Sequence, residues 1–281
     1  MEYKEGGLEI WEARRLDKIQ DAGRTHPLII ECASTQTGNS QRRSFIVKAL
    51  ALPEIKETSL GFEIVGNMLA RRLGVDTPEP VLVHLSPAFV EAYQPIIEGH
   101  TGLVGTGAKL LPGYGAGCEF LSPGFMPIIP GSYLNDNELQ QAACIYAFDL
   151  LVQNPDRSFE ADKRPNCANF GHRLVAFDFE LAFSFVYLLF NSGKPWEVTK
   201  HGIAPQHLFY KPLRAAMQQD GKIDLRPFVA NVATLDVDDL IQSLQSLPTG
   251  WAHYADKIEA HLKEIVAHPR DFELELHRSL A

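Results

Sequence analysis

The chain lacks the sequence features of several protein classes. Its four cysteines are far apart and form no CxxC pair, which argues against a zinc ribbon or a disulfide framework and favours a reducing cytoplasm. Lys and Arg form no cluster and the net charge is −9, so we expect no nucleic acid and no membrane as a partner. The longest apolar run, residues 181–190, is shorter than the roughly 20 residues that span a bilayer. These absences predict a cytoplasmic globular protein.

Three residues with oxygen-bearing side chains stand around one short apolar run in the middle of the chain. Asp156 follows a proline, Asn169 precedes the run 174–177, and Asp178 ends it. Mg²⁺ prefers hard oxygen ligands and takes the rest of its shell from water and phosphates. Asn169 and Asp178 could therefore hold Mg²⁺, and Asp156 could orient an acceptor hydroxyl or take its proton. The alternative interpretation is an Asn/Asp-rich loop that only caps turns.

A lysine and a glutamate occupy suggestive positions in the first quarter of the chain. Lys48 ends the apolar stretch Phe45-Ile-Val, which is predicted to be a buried strand in a hairpin with residues 28–32. Glu63 lies on a helix predicted over 59–73 from the spacing of its apolar residues. Protein kinases use such a pair to hold nucleotide phosphates. The alternatives are a lysine that reaches water and a glutamate that favours a helix N-terminus.

The remaining pattern predicts mainly strands in the first third of the chain and helices in the last. Residues 98–130 are rich in Gly and Pro and are predicted to connect two lobes, with the backbone of Glu119 to Leu121 available to an adenine edge. Asp149, inside an apolar helix, is expected to have a partner and to brace the Asp156 loop, because an unpaired buried charge is costly. The other predicted elements are a strand and a short helix within 8–19, a strand at 81–85, and helices over 135–152, 211–219, 237–247 and 251–266.

Several segments in order resemble the HipA-like kinase family. They are Phe45-Ile-Val-Lys48, the Glu63 helix with its end at Leu69-Ala-Arg-Arg-Leu-Gly-Val-Asp-Thr-Pro78, Ala147-Phe-Asp-Leu-Leu-Val-Gln-Asn-Pro-Asp-Arg157, and Phe177-Asp-Phe-Glu-Leu-Ala-Phe183. The resemblance implies an α+β, two-lobed, protein-kinase-like fold. Its strand-rich amino-terminal lobe would be residues 1–118 and its helical carboxyl-terminal lobe residues 119–281. It also implies ATP and Mg²⁺ as cofactors and transfer of phosphate to a Ser or Thr hydroxyl, in a bacterial growth-regulating system.

The same resemblance implies a role for each candidate residue. Lys48 would hold the phosphates, Glu63 would orient Lys48, and Asp156 would be the catalytic aspartate. Asn169 and Asp178 would ligate Mg²⁺. The turn formed by Gly23, Arg24 and Thr25 falls where such kinases place the loop that covers the nucleotide.

The sequence departs from the family in ways that leave alternatives open. The loop after Asp156 is long, so Asn166 is an alternative to Asn169, which is preferred because an apolar residue follows it. Ser158 stands where the family often has His, and the nucleotide loop has a single glycine, which allows a weakly active or inactive member. The functional alternatives are a kinase for a small molecule or lipid on the same scaffold, and a nucleotide-binding pseudokinase that regulates a protein partner.

Overall fold

The computed structural model shows an α+β protein divided into two compact units. It describes residues 4–5, 7–21, 24–36, 41–52, 56–120, 125–129, 131–158, 165–188, 193–219 and 223–281. The first unit comprises Met1–Ile64, Pro78–Leu121 and Gln242–His253, and the second comprises Val65–Thr77, Ser122–Ile241 and Tyr254–Ala281. Each unit is therefore assembled from stretches that are separate in the sequence.

The first unit is built on a sheet that closes on itself. Its strands are β1 (Lys4–Glu5), β2 (Leu8–Ile19), β3 (Leu28–Ser34), β4 (Arg42–Lys48), β5 (Leu50–Ala51), β6 (Pro80–Leu85), β7 (Lys109–Leu110) and β8 (Gly113–Glu119). The main sheet has the order β1-β2-β3-β4-β8-β6, and a parallel pairing of β2 with β6 completes a barrel. β5 and β7 form a separate pair. The sequence did not predict this closure.

Strand β2 differs from its prediction, whereas the predicted β3–β4 hairpin is present. Residues 8–19 form a single strand with register shifts near Arg14 and Asp17, where a strand and a short helix were expected. Such irregularities let one strand bend and serve two neighbours, here β3 and β6. The predicted antiparallel hairpin of β3 with β4 is confirmed. Buried side chains of β2, β3 and β4, such as those of Trp11, Ile30 and Val47, belong to one hydrophobic core.

Strand β8 overturns the prediction that residues 98–130 only connect two lobes. It is a central strand that pairs with both β4 and β6. Its glycines are needed for close packing: a Cβ at Gly115 would lie 2.7 Å from Cγ1 of Val47, and one at Gly117 would lie 2.9 Å from Cγ2 of Val81. Real Cβ atoms do not approach other atoms so closely, so larger side chains would force the strands apart.

Two helices, one before β6 and one after it, lie between the strands of this sheet in the chain. α1 (Glu57–Arg72) confirms the helix predicted over 59–73, and its residues Gly61 to Asn67 are all buried. α2 (Pro87–Gly99) begins with Ser86, whose hydroxyl accepts a hydrogen bond from the amide of Phe89 at 3.2 Å. The boundary between the two compact units falls within α1, after Ile64.

The second unit combines a small antiparallel sheet with helices. The sheet has the order β11-β10-β9, with β9 at Phe125–Pro127, β10 at Cys167–Phe170 and β11 at Arg173–Ala176. The helices are α3 (Asp136–Leu151), α4 (Tyr210–Met217), α5 (Arg226–Ala233), α6 (Val237–Gln245), α7 (Ala255–Ala267) and α8 (Pro269–Leu280). α3, α4, α6 and α7 confirm predicted helices, whereas α5 and α8 were not predicted. In the described part of the chain, no helix is both long enough and apolar enough to cross a membrane.

Helix α3 is the buried centre of the second unit. It starts with a capping box: the Asn135 side chain accepts from the Glu138 amide, and the Glu138 carboxylate accepts from the Asn135 amide. From Ile145 to its last residue every side chain is buried, so its end is fixed on all sides. The Tyr146 hydroxyl shares a 2.8 Å hydrogen bond with Ser279 of α8. The loop that carries Asp156 begins directly after this helix.

Candidate functional site

In the first unit, the structure brings Lys48 and Glu63 together. Nζ of Lys48, at the end of β4, lies 2.8 Å from Oε2 of Glu63 on α1. Both side chains are buried, with exposed fractions of 8% and 7%. A buried ammonium is costly unless it is paired, and this carboxylate meets that need. The pair is therefore a buried ion pair that joins β4 to α1.

In the second unit, the register of the β10–β11 hairpin decides which candidates lie together. Cys167 pairs with Ala176, and the amide of Phe177 donates to the carbonyl of Asn166 at 3.0 Å. Asn166 and Asp178 therefore flank the same end of the hairpin. Both residues adopt left-handed backbone conformations, with φ of 48° and 63°. Such conformations are costly for non-glycine residues and often occur at functional sites.

Asp156 joins this end of the hairpin through a direct contact. Nδ2 of Asn166 donates a hydrogen bond to Oδ2 of Asp156 at 2.7 Å. The backbone of Asp156 is held as well, because its amide donates to Oδ1 of Asn154 at 3.2 Å. With the amide nitrogen of Asn166 donating to Asp156, Oδ1 is the side-chain atom of Asn166 that could accept a hydrogen bond or ligate a metal ion. The described site thus contains one carboxylate beside an amide and a second carboxylate at Asp178.

Asn169 lies at the other end of the hairpin. It pairs with Leu174, four residues before Asp178, which is about 13 Å along a strand. Its Nδ2 donates to Oε1 of Glu138 at 2.8 Å, and its Oδ1 accepts from the amide of His172 at 3.0 Å. The register therefore places Asn169 away from Asp178 and Asn166 beside it, and which asparagine would ligate Mg²⁺ stays a prediction.

A buried arginine fixes the backbone on which these residues stand. Arg157 is 1% exposed, and its Nη1 donates to the carbonyls of Asn166 and Phe177, the latter at 3.2 Å. Its Nε donates to Oδ2 of Asp149 at 2.6 Å and its Nη2 to Oδ1 at 3.4 Å. One guanidinium therefore ties the end of the hairpin to α3. The planar, always charged guanidinium suits this role better than a lysine would.

Asp149 is the centre of this network, as the sequence predicted in general terms. Besides Arg157, it accepts from Nδ2 of Asn154 at 3.0 Å and lies 2.9 Å from Nε2 of His207. Burial raises the pKa of Asp149, but the charges and hydrogen bonds of Arg157 and His207 outweigh this effect and lower it overall. Asp149 is therefore ionised although it is completely buried.

His207 is a partner that sequence reasoning missed. Its Nδ1 accepts a hydrogen bond from the amide of Phe209 at 3.1 Å, so Nε2 carries the proton and donates to Asp149. Burial lowers the pKa of His207, which favours this neutral form. The two residues are 58 positions apart, and no local spacing links them.

The charge of Asp178 also reaches this network. Burial lowers the pKa of Arg157, whereas Asp149 and, to smaller degrees, Cys167 and Asp178 raise it, and the net change is upward. Asp178 is partly buried. Its carboxylate is therefore near enough to the permanent cation of Arg157 to raise the pKa of that guanidinium.

The predicted nucleotide-binding residues are only partly described. Gly23 and Leu121 lie outside the described residues. Arg24 is exposed and Thr25 is buried in the turn before β3. Glu119 is exposed at the end of β8, and its amide donates to the carbonyl of Glu79 at 3.1 Å. The nucleotide-binding role of these residues stays a prediction.

The donor set at the hairpin end fits Mg²⁺ better than a transition metal. Among the described residues, no three His, Cys, Asp or Glu side chains are grouped as a metal site would require. Mg²⁺ does not need such a group, because it binds through one or two protein oxygens and completes its octahedron with water and substrate phosphates. The Asp178 carboxylate and Oδ1 of Asn166 are ligands of that type.

The chain matches no family model, and no curated protein matches it significantly. Among solved structures, it is similar to a Helicobacter pylori proinflammatory kinase, CtkA, with 11% sequence identity and a TM-score of 0.37. This match covers 88% of the present chain and 94% of that chain.

Proposed function

We propose that the protein is an ATP- and Mg²⁺-dependent phosphotransferase with a HipA-like, two-lobed kinase architecture. The observation that carries the proposal is the hydrogen bond from Asn166 to Asp156 at the hairpin end that also bears Asp178. Two carboxylates and one amide, set on a rigidly held backbone, match the needs of metal-assisted transfer to a hydroxyl.

Each residue of the hairpin end has a separate role in this proposal. Asp178 and Asn166 would hold Mg²⁺, which would supply positive charge to the phosphates. Asp156 would accept a hydrogen bond from the acceptor hydroxyl and take its proton, while the oxygen bonds to the γ-phosphorus of ATP and ADP leaves. The hydrogen bond from Asn166 would orient the Asp156 carboxylate. In this proposal, one side chain both ligates the metal and positions the base.

The network around Arg157 serves this site by keeping its geometry. Reacting groups must be held close to their productive positions, since small misplacements cost large factors in rate. Arg157 binds the carbonyls of Asn166 and Phe177, and Asp149 with His207 holds Arg157. No solvent reaches these side chains, so water does not compete for the hydrogen bonds.

Lys48 and Glu63 supply the phosphate-binding part of the proposal. The ammonium of Lys48 would attract nucleotide phosphates, and the 2.8 Å contact with Glu63 would hold it in place. The acceptor is proposed to be a Ser or Thr hydroxyl of a protein. A small molecule or lipid with a free hydroxyl is the second candidate, because the fold does not fix the substrate.

The proposal is tested first by calorimetry of ATP binding with and without Mg²⁺, on the wild type and on Asp178→Ala. We expect Mg²⁺ to tighten binding in the wild type and to have no effect in the variant. Transfer of labelled γ-phosphate to the protein itself, to a cell lysate and to a lipid extract then separates the acceptor classes. Binding without any transfer would favour a pseudokinase, and equal Mg²⁺ dependence in both proteins would contradict the site.

A further inference from the structure

A segment from the carboxyl-terminal half of the chain packs on the helix that carries Glu63. Residues Gln242–His253, here called the docking segment, belong to the first compact unit, although the chain on both sides of them belongs to the second. Trp251, in this segment, is 4% exposed, and Leu247 is 6% exposed. The segment is therefore a packed part of the first unit.

Two close approaches fix where the docking segment meets α1. A Cβ at Gly61 would overlap the carbonyl oxygen of Trp251 and lie 2.9 Å from its carbonyl carbon. A Cβ at Gly250 would lie 2.5 Å from Oε2 of Glu57, at the first residue of α1. Gly250 also has a φ of +95°, which side chains rarely adopt. Glycine at position 61 lets α1 touch the Trp251 backbone, and glycine at position 250 leaves room for the Glu57 side chain.

The contact at Gly61 is on the opposite side of α1 from Glu63. Successive residues of a helix are rotated by about 100°, so residues two apart point about 200° apart. Glu63 faces Lys48, and Gly61 faces the backbone of Trp251. The first turns of α1 are thus held between the strand that bears Lys48 and the docking segment. Moving either side changes the distance between the Glu63 carboxylate and the Lys48 ammonium.

We propose that the docking segment positions Glu63, with the Trp251 backbone as the support against which α1 is set on Lys48. Trp251 and Gly61 are positioning residues, because neither needs to touch a nucleotide for this role. The inference rests on the proposed function for its catalytic meaning. The effect on the Lys48–Glu63 pair can be measured without any activity.

The first test measures how fast the Lys48 amine reacts with an N-hydroxysuccinimide ester, by mass spectrometry of the Lys48 peptide. An amine held as a charged partner of Glu63 is a poor nucleophile, so wild type should react slowly. Glu63→Gln should react about tenfold faster, in the usual range for loss of one coupled contact. If the docking segment positions Glu63, Gly61→Ala should approach the rate of Glu63→Gln.

Gly99→Ala is the matched control for Gly61→Ala. Gly99 is the last residue of α2, in the same unit, and a Cβ there would meet nothing within 4 Å. This variant should react at the wild-type rate. A folded Gly61→Ala protein whose Lys48 also reacts at the wild-type rate would overturn the proposal, since the contact would then be packing alone.

A gentler variant keeps the test decisive if Gly61→Ala does not fold. Gly250→Asn places a side chain against Oε2 of Glu57 at a φ of +95°, which side chains rarely adopt, and therefore displaces the docking segment without touching Gly61. Faster reaction of Lys48 in this variant supports the proposal, and an unchanged rate contradicts it.

Steady-state kinetics connect the same variants to function. Gly61→Ala and Glu63→Gln should lower kcat/KM for ATP by similar factors, and the double variant should be no worse than Glu63→Gln alone. Additive losses would mean that Gly61 acts independently of Glu63. If wild type shows no phosphate transfer, the proposed function fails, while the reactivity of Lys48 still decides the positioning role.

Discussion

Nδ2 of Asn166 donates to Oδ2 of Asp156 at 2.7 Å, a contact between residues ten positions apart. The contact links the residue proposed to ligate the metal to the residue proposed to receive the acceptor proton. Its geometry depends on the backbone at both residues, which Arg157 and Asn154 hold. A change at either side chain should therefore alter more than one step of the proposed reaction.

The two asparagines of the hairpin should respond in opposite ways to substitution. Asn166→Ala should lower Mg²⁺-dependent phosphate transfer by at least about a hundredfold, because both the metal ligand and the orientation of Asp156 are lost. Asn169→Ala should transfer phosphate at nearly the wild-type rate. It should lose about 2 kcal/mol of unfolding free energy, since buried Glu138 loses a hydrogen-bond donor. Turnover assays and urea unfolding measure the two effects, and comparable turnover losses in both variants would contradict the assignment.

Removing Asp149 should destabilise the second unit strongly. Asp149→Ala leaves the buried guanidinium of Arg157 without its carboxylate, and loss of one partner of a buried pair costs about 4 kcal/mol. The control is Arg173→Met, which breaks the exposed pair with Asp76 and should cost less than about 1 kcal/mol. Urea unfolding of both variants tests the contrast. Equal losses would mean that the buried network does not stabilise the fold more than a surface pair.

Replacing Lys48 should impair nucleotide binding more than folding. Lys48→Met should lower kcat/KM for ATP by at least about tenfold because phosphates lose a cation. Including Glu63→Gln in the same protein removes the buried carboxylate that has lost its lysine, and should restore stability without restoring activity. Lys109→Met, an exposed lysine on β7, serves as the control and should leave activity unchanged. A Lys48→Met protein with full activity would remove Lys48 from the site.

The stability of the protein should fall with acid in a range set by its buried histidines. Nε2 of His261 lies 2.8 Å from the carbonyl of Leu151, and its ring stacks on Phe185 with centroids 4.0 Å apart. Burial lowers its pKa from 6.5 to about 4, and nearby His201 contributes a smaller decrease. The unfolded chain therefore takes up this proton first as the pH falls. Stability present above pH 6.5 should be lost progressively down to about pH 4.

His261→Gln tests this source of acid sensitivity. The glutamine amide can donate to the Leu151 carbonyl but does not titrate, so the variant should lose less stability than wild type between those pH values. The difference should reach about 3 kcal/mol, from a shift of roughly two units or more. Urea unfolding at a series of pH values gives the measurement. Parallel curves for the two proteins would show that His261 does not carry the proton linkage.

The parts of the fold that follow local rules were predictable from the sequence. Apolar spacing marked α1, and Asn135 with Glu138 marked the start of α3. Strand β8 was missed because glycine-rich segments usually form loops. Its glycines are required by packing against Val47 and Val81, which are far away in the sequence. The closing pairing of β2 with β6 was missed because it too joins segments that are far apart in the sequence.

The candidate site was predictable in composition but not in detail. The sequence identified Asp156, Asp178 and the Lys48–Glu63 pair as residue types suited to phosphate chemistry. It did not decide between Asn166 and Asn169, because the choice depends on the register of the β10–β11 hairpin. A one-residue shift of register would move every side chain of β10 to the other face of the sheet, and the pairing with β11 decides which asparagine lies near Asp178. The contact of His207 with Asp149 likewise arises only when distant segments meet.

The closed sheet has a consequence for how the protein folds. The contact between Glu12 and His84 joins β2 to β6 across 72 positions, and β3, β4 and α1 lie between them in the chain. Loop-closure entropy opposes such a contact until the intervening strands are in place, so the barrel should close late and slowly. During synthesis, one edge of β2 stays unpaired until β6 has left the ribosome. A chaperone that shields this edge would bind the first third of the chain.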